Sequence, residues 1–138
     1  VPHCTYTDPE VASVGANPEL LEKSAIAFDR FAFDLSELDR SRADPDSQLR
    51  PVQHAEVYTQ KGSDKILGAT IIGHDAGELI APICLMMSNG LGLSAAQKTI
   101  FSYPTRSEYL KRLGDAYNRN RMTPTVARLF RWWLRSVL

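Results

Sequence analysis

The chain has 138 residues, 43% of them hydrophobic and 23% charged, and its formal net charge is zero. These values are typical of one soluble globular domain, and they exclude a disordered chain, a collagen and a disulfide scaffold as global descriptions. The longest nearly apolar stretch, residues 79–87, is too short to cross a bilayer, and the chain shows no secretory signal peptide. Because it begins at Val1 instead of Met, we expect it to be a piece of a longer protein.

The charge is unevenly distributed along the chain. Residues 1–97 hold 7 Lys or Arg and 14 Asp or Glu, a balance of −7, whereas residues 98–138 hold 9 basic and 2 acidic residues, a balance of +7. Such asymmetry occurs in tails that bind nucleic acid or anionic membranes. It also occurs where two surfaces of opposite sign meet within a fold or across a dimer. The neutral total favours the second interpretation.

The first third of the chain carries the signals of strands. Residues 1–15 are predicted to be extended, with a break at Asp8-Pro9. A short helix is predicted next, because Asn17 suits the N-cap and the following proline suits the first helical position. Residues 27–35 predict an aromatic strand; Phe28 is out of step with its later aromatic residues, so the strand either carries an irregularity or buries both faces there.

The middle of the chain predicts a connection and a hairpin. Residues 37–48 are dense in Asp, Arg and Ser, which indicates a solvated connection. Residues 52–58 and 65–73 predict two strands, and the Gly-containing segment 60–64 between them has the composition of a hairpin turn.

The second half predicts helices. Apolar residues recur near helical spacing over 75–89, with a kink or close packing expected at Pro82 and a left-handed cap at Asn89-Gly90. A short helical segment is predicted over 94–98 and a longer helix over 107–117.

The last residues, 123–138, predict a basic amphipathic helix that begins at Thr123-Pro124. Its apolar face holds Val126, Leu129, Phe130, Trp133 and Val137, and its other face holds Arg128, Arg131, Trp132 and Arg135. Such a helix docks on its own domain or on a partner subunit, or it binds a membrane or nucleic acid. We expect docking.

Cysteines and histidines indicate no metal or disulfide site. Cys4 and Cys84 are too few for a disulfide framework and match no zinc spacing, and Cys84 is expected to be buried. His3 beside Cys4 leaves a metal-handling function open, but no second ligand pair follows at suitable spacing. His54 and His74 are expected to be surface or structural residues. Free thiols fit a reduced, cytoplasmic compartment best.

Motifs of nucleotide binding and hydrolysis are absent from the sequence. The chain has no GxGxxG, P-loop, HExxH or GxSxG pattern, and Gly90-Leu91-Gly92 is only part of a phosphate-binding pattern. No self-contained set of nucleophile, base and orienting group can be identified.

Four segments, taken in order, resemble one family. They are residues 1–15 (VPHCTYTDPEVASVG), 65–73 (KILGATIIG), 76–80 (AGELI) and 103–108 (YPTRSE). They are similar to the C-terminal domain of the pyridine nucleotide–disulfide oxidoreductases, which include glutathione reductase, dihydrolipoamide dehydrogenase and mercuric reductase. The last segment stands where the family has His-Pro-Thr-x-x-Glu, and the resemblance covers about residues 1–117.

The resemblance implies a fold, a partner and a site. The fold would be α+β, an antiparallel sheet packed with helices, in a dimerisation domain over 1–117 followed by a helical extension over 118–138. Family members are homodimers in which the His–Glu pair enters the partner's active site, where His exchanges protons with a redox-active dithiol and Glu orients it. The corresponding catalytic residues here, contributed in trans, are Tyr103 and Glu108.

Tyr103 is a departure from the common pattern. Tyrosine stands at this point in the mercuric reductases and their relatives, so the resemblance is closest to that branch. The chain nevertheless ends without the vicinal cysteine pair of mercuric reductases. A histidine titrates near pH 6.5 and a tyrosine only near pH 10, so Tyr103 forms hydrogen bonds and does not serve as a base near neutral pH. Glu108 then either orients a group or stabilises the first turn of a helix.

The resemblance also implies that the cofactor sites of the whole enzyme lie outside this chain. The parent enzyme would use FAD and NAD(P)H, bound by upstream domains of the same polypeptide, and this fragment alone would bind neither cofactor and catalyse nothing. We expect no nucleic-acid or membrane partner. The alternative is an independent binding module that acts through the basic Trp/Arg helix on a membrane or nucleic acid.

Overall fold

The computed structural model describes residues 1–45, 52–121 and 133. Within these residues, five strands form an antiparallel sheet in the order β1-β2-β5-β4-β3. The strands are β1 His3–Thr5, β2 Glu10–Gly15, β3 Phe28–Asp34, β4 His54–Gln60 and β5 Ile66–Gly73. The helices are α1 Pro18–Lys23, α2 Asp39–Arg42, α3 Ala76–Leu79, α4 Ala81–Ser88, α5 Leu93–Lys98 and α6 Glu108–Arg121, and a 3₁₀ turn spans Leu35–Glu37.

One face of the sheet builds the core. Ile71 pairs with Ala12 on one side and with Ala55 on the other, and all three side chains are buried. Because side chains alternate between the two faces of a strand, Phe31 lies on this same face of the sheet. Its ring packs against α6, where it meets the Tyr117 ring edge-on at 5.5 Å between centroids. Burial of these side chains supplies the main hydrophobic stabilisation.

The opposite face carries a polar cluster around Glu56. The Glu56 carboxylate accepts hydrogen bonds from His54 Nε2 at 2.6 Å and from Tyr58 Oη at 2.8 Å, and it pairs with Arg30. Burial alone would raise the pKa of Glu56, but the hydrogen bonds from Arg30, Tyr58 and His54 outweigh it and lower that pKa. Burial and the bond to Glu56 raise the pKa of Tyr58 to about 12.

Most predicted elements are confirmed with shifted ends. The strand predicted from residue 52 begins at His54, and the helix predicted to end near 117 continues to Arg121. Asn17 caps α1 through a bond from the Leu20 amide at 2.8 Å, and Gly90 has the left-handed φ of +66° expected of a helix cap. Of the predicted helix over 123–138, only Trp133 lies among the described residues, and its side chain is about half exposed.

Two expectations need correction, and one open alternative is decided. The segment 37–48 is not merely a solvated connection, since it contains α2 and buries Leu38, which is 1% exposed. The predicted helix over 75–89 is two helices that meet at Ile80, because Pro82 lacks the amide proton that a continuous helix requires. The register between β3 and β4 is regular at Phe28, which packs edge-on against Tyr58. Phe28 and Asp29 are both half-buried, so the strand is partly covered on both faces there.

Candidate functional site

The two site residues predicted from the sequence lie in the loop before α6 and at the first residue of α6. Tyr103 belongs to the loop that joins α5 to α6, and its side chain is 70% exposed. Glu108 is the first residue of α6. The Tyr103–Pro104 peptide bond is cis. The loop turns back on itself through a hydrogen bond from Thr105 Oγ1 to the Ser102 carbonyl at 2.8 Å.

Tyr103 is held by a residue that is distant in sequence. Its phenol oxygen donates a hydrogen bond to Asp39 Oδ2 at 2.7 Å. This bond and the negative charge of Asp39 raise the pKa of Tyr103, so the phenol stays protonated near neutral pH. The ring is thereby fixed at its tip although most of its surface is open to solvent.

Glu108 has a different partner. Its side chain is 14% exposed and forms an ion pair with Arg112 at 2.8 Å, one turn further along α6. A carboxylate in the first turn of a helix also stabilises the unpaired amide groups there. Glu108 lies close enough to raise the pKa of Tyr103 by its charge, as a contribution smaller than that of Asp39. The structure thus places the two predicted residues in one neighbourhood and gives each its own partner.

A second contact ties the same loop to the same segment. Arg106 forms an ion pair with Asp44, and the two side chains are 12% and 22% exposed. Together with the Tyr103–Asp39 bond, it connects the α5–α6 loop to residues 39–44 at two points. The sequence analysis missed Asp39 and Asp44. The signal available was the spacing of Leu35 and Leu38, which favours a helical turn whose apolar side packs on the core.

Helix α6 is anchored by contacts with α3 and α5. Tyr109 is fully buried, and its hydroxyl donates to the Leu79 carbonyl at 2.7 Å, which joins α6 to α3. Burial raises the pKa of Tyr109 well above its ordinary value. A β-carbon at Gly114 would lie 2.7 Å from the Gln97 backbone nitrogen, so α5 and α6 approach each other closely at this point. These contacts fix the platform from which Tyr103 projects.

A cavity of about 330 Å³ lies beside the Tyr103 ring. It is lined by residues 97–103, Glu108 and Lys111. Ile100, which belongs to this lining, is almost fully exposed. An exposed aliphatic side chain beside a fixed tyrosine is suited to contact with another protein surface.

The partial glycine pattern does not fit a phosphate. The Asp64 carboxylate fills the space next to Gly92 and accepts a hydrogen bond from Ser94 Oγ. A phosphate at that point would meet a negative charge instead of free amide groups. Over residues 1–45, 52–121 and 133, no group of three or more His, Cys, Asp or Glu side chains could hold a metal ion.

None of the helices in the described part of the chain combines the length and the apolar character needed to span a membrane. Both cysteines in this part are free thiols and partly buried, which corrects the expectation that Cys84 is fully buried.

The fold defines a class of protein, an antiparallel α+β domain, and the loop before its last described helix exposes Tyr103. Residues 1–113 match the family described as the pyridine nucleotide-disulphide oxidoreductase dimerisation domain. The match covers most of the chain, and the chain belongs to this family.

Relatives of known function agree with this assignment. A dihydrolipoyl dehydrogenase of Trypanosoma brucei brucei is 36% identical over 113 residues, which are 80% of this chain and 22% of that protein. The mitochondrial dihydrolipoyl dehydrogenase of Dictyostelium discoideum is 34% identical over 120 residues, 86% of this chain and 24% of that protein. The chain therefore spans less than a quarter of the length of these relatives.

Solved structures share the fold. LpdA from Mycobacterium tuberculosis superposes with a TM-score of 0.75 at 20% identity, over 85% of this chain and 25% of that one. The HOCl-induced flavoprotein disulfide reductase RclA from Escherichia coli gives 0.74 at 23% identity, over 83% of this chain and 26% of that one. The predicted family and α+β fold are confirmed, and the dimerisation domain is favoured over the independent binding module. The assignment to the mercuric reductase branch stays a prediction.

Proposed function

We propose that this chain is the dimerisation domain of a homodimeric, flavin-dependent, NAD(P)H-linked disulfide oxidoreductase. The domain covers residues 1–117, and residues 118–138 are a helical extension of it. The family match over residues 1–113 carries this proposal. In the assembled enzyme, the α5–α6 loop of one subunit reaches the redox-active dithiol of the other.

The dimer surface is proposed to include the outer side of α3 and α4. Helix α4 has the sequence APICLMMS, which is apolar around most of its circumference, as in helices that are covered on all sides. Leu85 on its outer side is 65% exposed. Ala81, one turn before Leu85 on α4, is also exposed, and a β-carbon at Gly77 on α3 would lie 3.6 Å from the exposed Tyr6 ring. We propose that Tyr6, Gly77, Ala81 and Leu85 belong to one apolar strip, which a second copy of the chain covers.

Tyr103 and Glu108 are proposed to act in trans. Tyr103 is exposed on the surface of its own domain and yet fixed through its hydroxyl, which suits a side chain that completes a site on another subunit. Because its pKa is raised, its task is hydrogen bonding and not proton abstraction. Glu108 supports the loop through Arg112 and the helix terminus.

FAD and NAD(P)H belong to the upstream domains in this proposal. The described residues do not fit a dinucleotide, since Asp64 fills the glycine pair that most resembled a phosphate cradle. No step through either cofactor is assigned to this chain.

The branch and the compartment are proposed on narrower grounds. Tyr103 in place of histidine favours a mercuric reductase-like enzyme, whereas the relatives described above are dihydrolipoyl dehydrogenases. Turnover of the parent enzyme with lipoamide, glutathione disulfide and mercuric ion would separate these branches. Two free thiols favour a reducing compartment such as the cytoplasm.

The catalytic role of the loop is tested by Tyr103→Phe in the complete flavoprotein. We expect the dimer mass and the melting temperature to stay unchanged, because the side chain is mostly exposed. The chemical step should slow by about tenfold to a hundredfold, as expected for one lost hydrogen bond. Single-turnover kinetics measure this step. Unchanged turnover with a dissociated dimer would make Tyr103 an interface anchor instead.

A further inference from the structure

The hydrogen bond between Tyr103 and Asp39 determines what Tyr103 offers to another molecule. A phenol has one proton to donate and lone pairs that accept. In this structure the proton points to Asp39 Oδ2 at 2.7 Å, so the lone pairs are what the exposed side of the hydroxyl presents. The Asp39 carboxylate behind the hydroxyl increases the negative charge on the phenol oxygen.

Resting on the proposed function, we infer that Asp39 is the positioning residue for Tyr103, which thereby meets the partner subunit as a hydrogen-bond acceptor. The group that it contacts must then be a donor, such as a protonated thiol or an N–H group. A thiolate would be repelled, because it has no proton to give and carries the same sign of charge as Asp39.

Two observations independent of the bond itself support this assignment. Arg106 and Asp44 form an ion pair, which clamps the same loop to the same segment. Glu108, the alternative orienting group, is engaged with Arg112. Asp39, whose other oxygen lies 3.9 Å from Arg42 Nη1, is the carboxylate that contacts Tyr103 directly.

The charged groups around Tyr103 come from three elements. Asp39 faces it from α2, Glu108 and Arg112 face it from α6, and Lys98 and Lys111 line the adjoining cavity from α5 and α6. Glu108 favours the protonated phenol in the same sense as Asp39, whereas Arg112 opposes it. A test must therefore distinguish the effect of the Asp39 hydrogen bond on the Tyr103 pKa from the effects of the Glu108 and Arg112 charges.

The first experiment is a spectrophotometric titration of the tyrosines in the full 138-residue chain. The chain has five tyrosines, and the difference from Tyr103→Phe isolates the Tyr103 step. We expect this step to lie above the ordinary value of 10 and to move back toward it in Asp39→Ala. Glu108→Gln is the matched control and should move it less. An unchanged Tyr103 step in Asp39→Ala, or a larger shift in Glu108→Gln, would overturn the assignment.

The second experiment uses the complete enzyme. If Asp39 acts through Tyr103, Asp39→Ala slows the chemical step about as much as Tyr103→Phe, and the double variant is no slower than either. Asp39→Asn should recover most of the rate, because its amide oxygen still accepts from the phenol. Effects that multiply in the double variant would overturn the positioning role.

The two proposals fail in different ways. If Tyr103→Phe leaves turnover unchanged, the active-site role under Proposed function is wrong. The titration still decides whether Asp39 holds the Tyr103 proton, because its signal does not depend on activity.

Discussion

Glu56 sits on the sheet face that the core helices do not cover, yet it is 8% exposed. A buried carboxylate stays charged only when it has close hydrogen-bond or ion-pair partners. His54, Tyr58 and Arg30 are these partners. Tyr58 donates its hydroxyl proton to Glu56, and burial together with this bond raises the pKa of Tyr58 to about 12. The cluster ties β3 to β4 through side chains as well as through backbone pairing.

Glu56→Gln should lower the free energy of unfolding by about 1–3 kcal/mol at pH 7, since it removes the charge that Arg30 and His54 bind. The folded pKa of Glu56 is lowered from its ordinary value of 4.5. Its stabilising effect is thus present above that value and is lost as the pH falls through the folded pKa. Urea unfolding should show the gap between wild type and variant narrowing in acid.

Glu19→Gln is the matched control for this prediction. Glu19 forms an exposed ion pair with Lys23 on α1, and its loss should change the free energy of unfolding by less than about 0.5 kcal/mol. Equal effects of the two substitutions would mean that the Glu56 cluster contributes no more to the free energy of unfolding than an exposed ion pair does.

At the scale of elements, the contact between α5 and α6 at Gly114 sets the position of the loop between them. A methyl group at Gly114 would press on the Gln97 backbone nitrogen, which cannot move without shifting α5. Gly114→Ala should therefore destabilise the domain by about 1–3 kcal/mol, although alanine is the better helix former. Thermal melts would measure it, with Asn120→Ala on the exposed end of α6 as control. A more stable Gly114→Ala variant would show that the helices have room between them.

Strands and helices of this domain could be predicted where local signals are strong. The β-branched run of β5, the Asn17 cap and the Asn89-Gly90 stop each act within a few residues. The composition of residues 39–44 predicts a connection, because Asp, Arg and Ser usually face solvent. The spacing of Leu35 and Leu38 indicates that Leu38 is buried, but the bond between Asp39 and Tyr103 joins residues 64 positions apart, which no local pattern records.

In the candidate site, too, some features can be predicted from the sequence and others depend on the tertiary fold. Tyr103 and Glu108 could be found by their resemblance to a family motif, and the exposure of Tyr103 agrees with an outward role. The pairing of each with a different group could not be foreseen. Arg112 is one helical turn from Glu108, so that ion pair is local, whereas the bond to Asp39 requires the tertiary fold.

At the scale of the whole molecule, dimer formation depends in this account on the apolar strip of Tyr6, Gly77, Ala81 and Leu85. A stable homodimer interface buries about 2,000 Å² or more, so one charge at its centre is costly. Leu85→Asp should convert a dimer to a monomer in light scattering after size exclusion. Leu20→Asp on α1, which is exposed to a similar extent, should leave the dimer intact. Dissociation by both variants, or by neither, would place the interface elsewhere.

The contribution of Tyr103 to the opposite subunit is the central claim, and mixed dimers of the complete enzyme test it most directly. One subunit carries Tyr103→Phe with its redox cysteines intact, and the other carries Tyr103 with those cysteines replaced. Each parent homodimer is impaired. If Tyr103 acts in trans, the mixed dimer contains one complete site and turns over at about half the wild-type rate per dimer. If the mixed dimer is no faster than the Tyr103→Phe homodimer, Tyr103 does not serve the partner's site, and the account is contradicted.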